Sequence, residues 1–233
     1  RFMLRRMCGI VGYLGKGIAQ ESLVDGLRRL EYRGYDSAGV AFHEGDSFTL
    51  SRETGRVENL AVALRQSSSE SSMGIAHTRW ATHGAVTVSN THPHQSHDGK
   101  FVMVHNGVIE NFGTLKRFLE GKGMSFSSET DSEVLCNLIA YHYSELPEDE
   151  DRFIDAVRLA LAKCRGAYGI AVLCLDSPDM MIGARRGSPL VVRLGDDANF
   201  IASDASAFVG RAKEAVFLND GELAILDKGD FRI

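Results

Sequence analysis

Hydrophobic residues recur along the chain at two spacings, one typical of amphipathic helices and one typical of buried strands. Leu23, Leu27 and Leu30 stand at positions i, i+4 and i+7, which predicts an amphipathic helix. Together with capping and turn residues, this spacing predicts five helices. They cover residues 21–31, 57–64 and 153–163 and two stretches that begin after Asn111 and after Thr130. We expect Asn111 to cap a helix whose Phe112 faces inward, and residues 130–133 match a capping box.

Short apolar runs bounded by turn residues predict the strands. These runs cover residues 9–14, 38–43, 47–53, 73–78, 101–105, 169–175, 180–184, 190–194, 200–203, 216–218 and 222–226. The strands come in adjacent groups, whereas most helices form a central block. This order favours an α+β domain with mainly antiparallel sheet over a doubly wound parallel sheet. No internal repeat or composition break divides the 233 residues, so the sequence predicts one domain.

Composition and charge narrow the classes of function. The net charge of −5 gives no basic field that would attract nucleic acid. No apolar stretch reaches the roughly 18 residues expected of a transmembrane helix. The four cysteines form no C-x-x-C pair and no disulfide framework, which favours the reducing cytoplasm. We therefore expect a cytoplasmic protein with neither nucleic acid nor membrane as a partner.

Cys8 directly precedes the first predicted strand and follows seven residues that form a basic segment, with arginine at positions 1, 5 and 6. We interpret residues 1–7 as a removable leader, a mis-assigned start or residues foreign to the native chain. If Met7 is the initiator, its removal leaves Cys8 with both a thiol nucleophile and a free α-amine that can act as its base. The alternative from these residues alone is a buried strand cysteine.

Two further stretches place reactive or binding side chains just past the end of a predicted strand. In residues 77–84, Arg79 suits bidentate binding of a carboxylate, and a surface arginine stacked on Trp80 is the alternative. In residues 105–107, the Asn106 amide and the Gly107 N–H are the donors of an oxyanion hole, although Asn-Gly is also a hairpin turn signal.

Asp131 lies in the first turn of a predicted helix, where a carboxylate caps the helix or, facing a cleft, binds a substrate ammonium. His92 and His94 lack a carboxylate at metal-ligand spacing, so we predict no metal site. Gly15-Lys16-Gly17 lacks the residues that flank a phosphate-binding loop. The sequence therefore predicts no cofactor.

These stretches occur in the order and at the spacing of a known family. Residues 8–12, 31–39, 77–84, 92–94, 105–107 and 129–131 together resemble the glutaminase domain of the glutamine–fructose-6-phosphate aminotransferases, which are class II, N-terminal-nucleophile amidotransferases. The resemblance includes residues 165–169 and 187–190, and it assigns residues 8–233 to one type-2 glutamine amidotransferase domain. It implies a four-layer αββα sandwich of two mainly antiparallel sheets.

The resemblance also implies a mechanism. The Cys8 thiolate attacks the carboxamide of L-glutamine, with its own α-amine as proton carrier, and a γ-glutamyl thioester forms. Asn106 and Gly107 hold the oxyanion. Ammonia then departs, and water releases glutamate.

The same resemblance implies how the substrate is held. Arg79 binds the α-carboxylate of glutamine, helped by Thr82 and His83, and Asp131 binds its α-ammonium. Trp80 lies where ammonia leaves.

In this family the ammonia passes to sugar-isomerase domains, absent from this chain, which convert fructose 6-phosphate into glucosamine 6-phosphate. The full-length enzyme is expected to be a homo-oligomer. One alternative is a catalytically silent glutamine-binding domain, because residues 1–7 block the Cys8 amine. The others are the glutaminase domain of another class II amidotransferase and a redox-regulated structural domain.

Overall fold

Two antiparallel sheets form the centre of the molecule in the computed structural model, which describes residues 8–80, 85–208, 214–228 and 230–233. Within these ranges the first sheet has seven strands in the order β11-β9-β10-β1-β4-β2-β3, and the second has six in the order β13-β12-β8-β7-β6-β5. The strands are β1 Gly9–Gly15, β2 Ser37–His43, β3 Phe48–Thr54, β4 Met73–Arg79, β5 His94–Gln95, β6 Phe101–Ile109, β7 Gly166–Cys174, β8 Met180–Arg186, β9 Val191–Leu194, β10 Ala198–Ala202, β11 Glu214–Phe217, β12 Leu223–Asp227 and β13 Asp230–Arg232.

Helices cover the outer face of each sheet. α1 (Ala19–Leu30) and α2 (Val57–Gln66) pack on the first sheet. α3 (Phe112–Glu120), α4 (Asp131–Glu145) and α5 (Arg152–Lys163) lie on the side of the second sheet. Short 3-10 helices cover residues 31–33 and 205–208. No helix in the described ranges combines the length and the apolar character needed to cross a membrane.

Strand alternation explains why the layers hold together. Ile75 of β4 and Val104 of β6 belong to one apolar core between the two sheets. Met103, the neighbour of Val104, points to the opposite face and packs with α4 and α5, because successive strand residues face opposite sides. The α+β class predicted from the sequence pattern and the αββα layering implied by the family resemblance are both confirmed.

Three local predictions differ from the structure. β6 continues through Asn106 and Gly107 to Ile109, so the hairpin-turn interpretation of Asn-Gly is wrong. Pairing with β7 along the whole of β6 accounts for this continuity. Asn111 precedes α3 without capping it through its side chain, which instead bonds residues at the end of α5. Phe112 is partly exposed rather than turned inward.

Candidate active site

A cavity of about 370 Å³ opens at one end of the sandwich, a volume typical of small-molecule sites, which span about 300–1,000 Å³. Five residues singled out from the sequence line it together, namely Cys8, Arg79, Trp80, Gly107 and Asp131. Its other lining residues are Asn90, His92, His105, Val108, Phe112, Glu129, Thr130 and Ser132. Thr82 and His83, also predicted site residues, lie outside the described residues.

Strand geometry brings side chains from both sheets to this end. Strand residues an even number of positions apart point to the same face. Arg79 lies four residues after Ile75 on β4, and Asn106 lies two residues after Val104 on β6. Both side chains therefore point to the face that carries the core between the sheets. Cys8 stands directly before β1, which pairs with β4. The space between the sheets therefore ends in polar groups instead of apolar ones.

The Cys8 thiol is half-buried and held by the backbone that follows β4. Its Sγ accepts a hydrogen bond from the Trp80 N–H at 3.2 Å. The next residue, Gly9, donates its N–H to Thr78 Oγ1 at 3.1 Å. Burial raises the pKa of the Cys8 thiol above its ordinary value, and the Trp80 N–H opposes this shift in part. A group that accepts the thiol proton is therefore needed at neutral pH.

Asn106 and Gly107 approach Cys8 from the second sheet. The Asn106 side chain is 4% exposed, and its Nδ2 donates to the Cys8 carbonyl oxygen at 3.1 Å. Gly107 has φ of 131°, and a Cβ placed there would overlap the Ala167 carbonyl group across the strand pair. Only glycine fits this position.

Arg79 and Asp131 supply opposite charges to the cavity. Arg79 is 7% exposed, which contradicts the surface-arginine alternative, and its Nη1 donates to the Ala85 carbonyl oxygen at 3.3 Å. Asp131 is the first residue of α4, and its Oδ2 accepts a hydrogen bond from the Ile109 N–H at 2.7 Å. Glu129 adds a second carboxylate to the lining. A cavity with a guanidinium and carboxylates suits a zwitterionic ligand.

Thr130 caps α4 as predicted from the sequence. Its hydroxyl accepts the Glu133 N–H at 3.2 Å. The Glu133 carboxylate does not complete the capping box; it accepts hydrogen bonds from the backbone and hydroxyl groups of Ser127 and Ser128. The loop before α4 is thereby fixed, and with it the position of Asp131.

A group of buried histidines supports the cavity, although no role could be predicted for them from the sequence. His92 Nε2 and His105 Nδ1 each lie 2.9 Å from Ser132 Oγ, and His94 Nε2 lies 3.0 Å from Thr130 Oγ1. Burial holds the pKa values of His92 and His94 well below the ordinary value, so both rings are neutral. The His-Pro-His segment thus ties the loop before β5 to the beginning of α4.

Residues 31–39, one of the segments that resemble the family, pack against Trp80, and this packing requires glycine at position 34. The φ of Gly34 is 129°, and a Cβ there would come within 2.8 Å of the Trp80 indole. Asp36 donates its N–H to the Arg79 carbonyl oxygen at 2.8 Å. The segment therefore packs behind the residues that contact the Cys8 thiol. The family resemblance includes this segment, but its packing against Trp80 and Arg79 could not be predicted from the sequence.

Comparison with known proteins relates this chain to glutamine amidotransferases. Residues 46–224 match the glutamine amidotransferase domain family. The chain is 44% identical over 222 residues to the glutamine–fructose-6-phosphate aminotransferase [isomerizing] of Caldanaerobacter subterraneus subsp. tengcongensis, covering 95% of this chain and 36% of that protein. It is 46% identical over 224 residues to the protein of the same name from Bacteroides thetaiotaomicron, covering 96% and 36%. The chain thus spans little more than a third of the length of these relatives.

Solved structures share the fold. The glutamine phosphoribosylpyrophosphate amidotransferase from B. subtilis complexed with ADP and GMP superimposes with a TM-score of 0.81 at 26% identity, covering 97% of this chain and 48% of that one. A predicted glutamine amidotransferase from Pseudomonas aeruginosa PA01 superimposes with a TM-score of 0.59 at 16% identity, covering 97% of this chain and 98% of that one. The second similarity concerns the fold alone.

Proposed function

This chain belongs to the glutamine amidotransferase domain family, and from that premise we propose that it hydrolyses the side-chain amide of L-glutamine to glutamate and ammonia. One observation carries the proposal. Cys8 and Gly107 line one cavity together with the Arg79 guanidinium and the Asp131 carboxylate. The Asn106 amide, which is not itself a lining group, donates a hydrogen bond to the Cys8 carbonyl oxygen beside this cavity. These are the groups needed to hold an amino acid and attack its side-chain amide.

Cys8 is the proposed nucleophile and its α-amine the proposed base. Ordinary pKa values of about 8.5 for a thiol and about 7.7–8.0 for an α-amine allow proton transfer between them near neutral pH. The sulfur forms a bond to the amide carbon, and the carbonyl oxygen becomes an oxyanion that accepts from Asn106 Nδ2 and the Gly107 N–H.

The bond to nitrogen then breaks, the α-ammonium returns the proton, and ammonia leaves. A water molecule next attacks the thioester, which releases glutamate and restores the thiol.

Arg79 and Asp131 are the proposed specificity residues. The Arg79 guanidinium binds the α-carboxylate of glutamine, and the Asp131 carboxylate binds its α-ammonium. We also assign Thr82 and His83 to the carboxylate end, and we place Trp80 on the route by which ammonia leaves. Together these contacts would select a free amino acid over a glutamine within a peptide, because a peptide lacks both terminal charges.

The proposed enzyme begins at Cys8, with residues 8–233 as a type-2 glutamine amidotransferase domain. While residues 1–7 are attached, the Cys8 nitrogen is a peptide amide without useful basicity. The observation that seven residues precede Cys8 supports a second candidate, a form that binds glutamine without hydrolysing it.

The names of the relatives extend the proposal to the whole protein. They are glutamine–fructose-6-phosphate aminotransferases, so we infer that this domain supplies ammonia for making glucosamine 6-phosphate from fructose 6-phosphate. Its partner would be a sugar-isomerase domain, and the complete enzyme would be a homo-oligomer in the cytoplasm. The domain alone, given glutamine and fructose 6-phosphate, should make glutamate but no glucosamine 6-phosphate.

Glutamate release from glutamine tests the proposal on two preparations, one beginning at Cys8 and one retaining residues 1–7, each verified by intact mass. The chain beginning at Cys8 should hydrolyse glutamine, and its Cys8→Ala variant should not. Equal rates for these two proteins would refute the proposed nucleophile. The longer chain should bind glutamine in calorimetry without releasing glutamate.

A further inference from the structure

The Asn106 side chain has a donor end and an acceptor end of nearly the same shape. Rotation of the amide by half a turn exchanges the NH₂ group and the carbonyl oxygen at almost no steric cost. Only the NH₂ end can stabilise an oxyanion, because the oxygen end would repel it. Something must therefore hold the amide in one of these two orientations.

Two contacts distinguish them. The Cys8 carbonyl oxygen, which can only accept, lies 3.1 Å from Asn106 Nδ2, and His77 of β4 contacts the other end of the amide. Its Nε2 lies 3.2 Å from the His105 carbonyl oxygen and 2.9 Å from Asn106 Oδ1. A backbone carbonyl oxygen can only accept, so the Nε2 atom must carry the proton. The Asn106 atom that faces this N–H must then be its oxygen, which directs Nδ2 toward Cys8.

The environment of His77 keeps its ring in the required state. The side chain is 1% exposed, and its ring lies 4.2 Å from that of His92, centroid to centroid. Burial lowers the pKa of His77 to about 3, although the bond to Asn106 opposes the shift. The neutral ring has one proton, and its two acceptors place that proton on Nε2. Nδ1 has no hydrogen-bond partner among the described residues.

The contact also joins the two sheets at the catalytic end. His77 lies opposite Ile10 in the pairing of β1 with β4, so it sits next to the strand that Cys8 begins. Asn106 belongs to β6 in the other sheet. One hydrogen bond thus joins β4, the neighbour of the strand that follows the nucleophile, to β6, which carries the proposed oxyanion donor.

We propose that His77 is a positioning residue for glutamine hydrolysis, which fixes the orientation of the Asn106 amide together with the Cys8 carbonyl oxygen. The proposal rests on the proposed function, in which Asn106 is an oxyanion donor. His77 does not touch the substrate itself. Its loss should therefore lower kcat and leave the KM for glutamine nearly unchanged, because Arg79 and Asp131 bind the ends of the substrate that do not react.

A double-mutant cycle in the chain beginning at Cys8 tests this mechanism, with the wild type, His77→Phe, Asn106→Ala and the double variant. Asn106→Ala should lower kcat by about 10²–10³-fold. His77→Phe should lower it by about 10–100-fold, with KM within about threefold of the wild type. In the Asn106→Ala background, His77→Phe should have an effect smaller than about threefold.

The outcomes separate the two proposals. If His77→Phe alone leaves kcat unchanged, or costs the same factor with and without Asn106, the positioning role is refuted and the role of Asn106 stands. If Asn106→Ala leaves kcat unchanged, the proposed function fails at Asn106, and the positioning role fails with it.

Two variants control for structural damage. His43 is also buried, and its Nε2 lies 3.2 Å from the Leu175 carbonyl oxygen, so His43→Phe matches the loss of a buried histidine away from the cavity and should keep its kcat. His77→Gln retains a side-chain N–H donor and should recover part of the lost kcat. If His77→Phe does not fold, the cycle is run with His77→Leu.

A transition-state mimic gives an independent measurement. The γ-aldehyde of glutamate adds the thiol to its carbonyl carbon and so forms a tetrahedral oxygen at the site of the oxyanion. His77→Phe should weaken inhibition by this aldehyde by the same factor as kcat, whereas inhibition by glutamate should change little. Equal weakening of both inhibitors would contradict the positioning role.

Discussion

Gly107→Ala tests whether one backbone position in β6 sets the rate of glutamine hydrolysis. A Cβ at this position would lie 2.7 Å from the Ala167 carbonyl carbon and would overlap the carbonyl oxygen, whereas real Cβ contacts essentially never fall below 3.0 Å. The obstacle is the backbone of β7, so no side-chain rotation relieves it. The φ of 131° adds conformational strain for any residue with a Cβ.

Two magnitudes follow from this geometry. Strain of this kind costs about 1–3 kcal/mol of folding free energy. Relief of the overlap moves the Gly107 N–H by roughly 1 Å, and a displacement of that size at a catalytic group costs about 100-fold in rate. We therefore expect kcat to fall by about 100-fold, with a smaller change in the KM for glutamine.

Gly166→Ala is the matched control. Gly166 has φ of 110°, belongs to β7, and would place its Cβ against the Val108 carbonyl oxygen of the same strand pair. Both variants should lose similar stability in urea unfolding, but Gly166→Ala should keep kcat within about tenfold of the wild type. If the two variants lose kcat equally, the Gly107 N–H does not hold the oxyanion.

Three further predictions concern binding, reactivity and stability. Asp131→Asn can keep the bond from the Ile109 N–H but loses the charge, so the KM for glutamine should rise about 10–100-fold; an unchanged KM in steady-state kinetics would argue against ammonium binding. Because burial raises the pKa of the Cys8 thiol, its alkylation by iodoacetamide, followed by mass spectrometry, should still accelerate above about pH 9; a plateau below about pH 8 would contradict this. Glu133→Gln places an NH₂ group among the donors of Ser127 and Ser128 and should lower the free energy of unfolding by about 1–3 kcal/mol. Glu120→Gln, at an exposed position, should leave it unchanged. Equal stability of the two variants would refute the reasoning.

Much of the fold could be predicted because local signals and tertiary structure agree over most of the chain. The leucines of α1 and the apolar runs of β1 and β2 identify elements whose observed ends differ from the prediction by only a residue or two. The two-residue β5 and the three-residue β13 were not predicted. Such short strands exist because a neighbouring strand pairs with them, and their own sequence has no distinct pattern.

Asn106-Gly107 shows where local reasoning fails. The dipeptide is a strong turn signal by itself, yet both residues pair with β7 inside a long strand. The positive φ of Gly107, which a turn would have used, instead allows the close approach of Ala167. Pairing across the sheet, which the sequence of β6 alone does not reveal, decides between the two structures.

The candidate site likewise has residues that could be predicted from the sequence and a contact that could not. Cys8, Arg79 and Asp131 could be proposed from residue type and family resemblance, because each carries a distinctive chemical group. The contact of His77 with Asn106 could not, since it depends on how one sheet is stacked on the other. A single histidine in an apolar strand gives no sign of its partner.

The assembly of the site across two sheets has a consequence for folding. Asn106 follows Cys8 by 98 residues, and contacts between such distant segments form slowly. Until β6 docks, the Cys8 thiol lacks the two oxyanion donors proposed for it, and we expect it to behave as an ordinary cysteine.

Recovery of glutaminase activity should therefore mark the last stage of folding. Trp80 is the single tryptophan of the chain and contacts Cys8. During refolding, its fluorescence and the activity should return together, after the helical circular dichroism signal has already recovered.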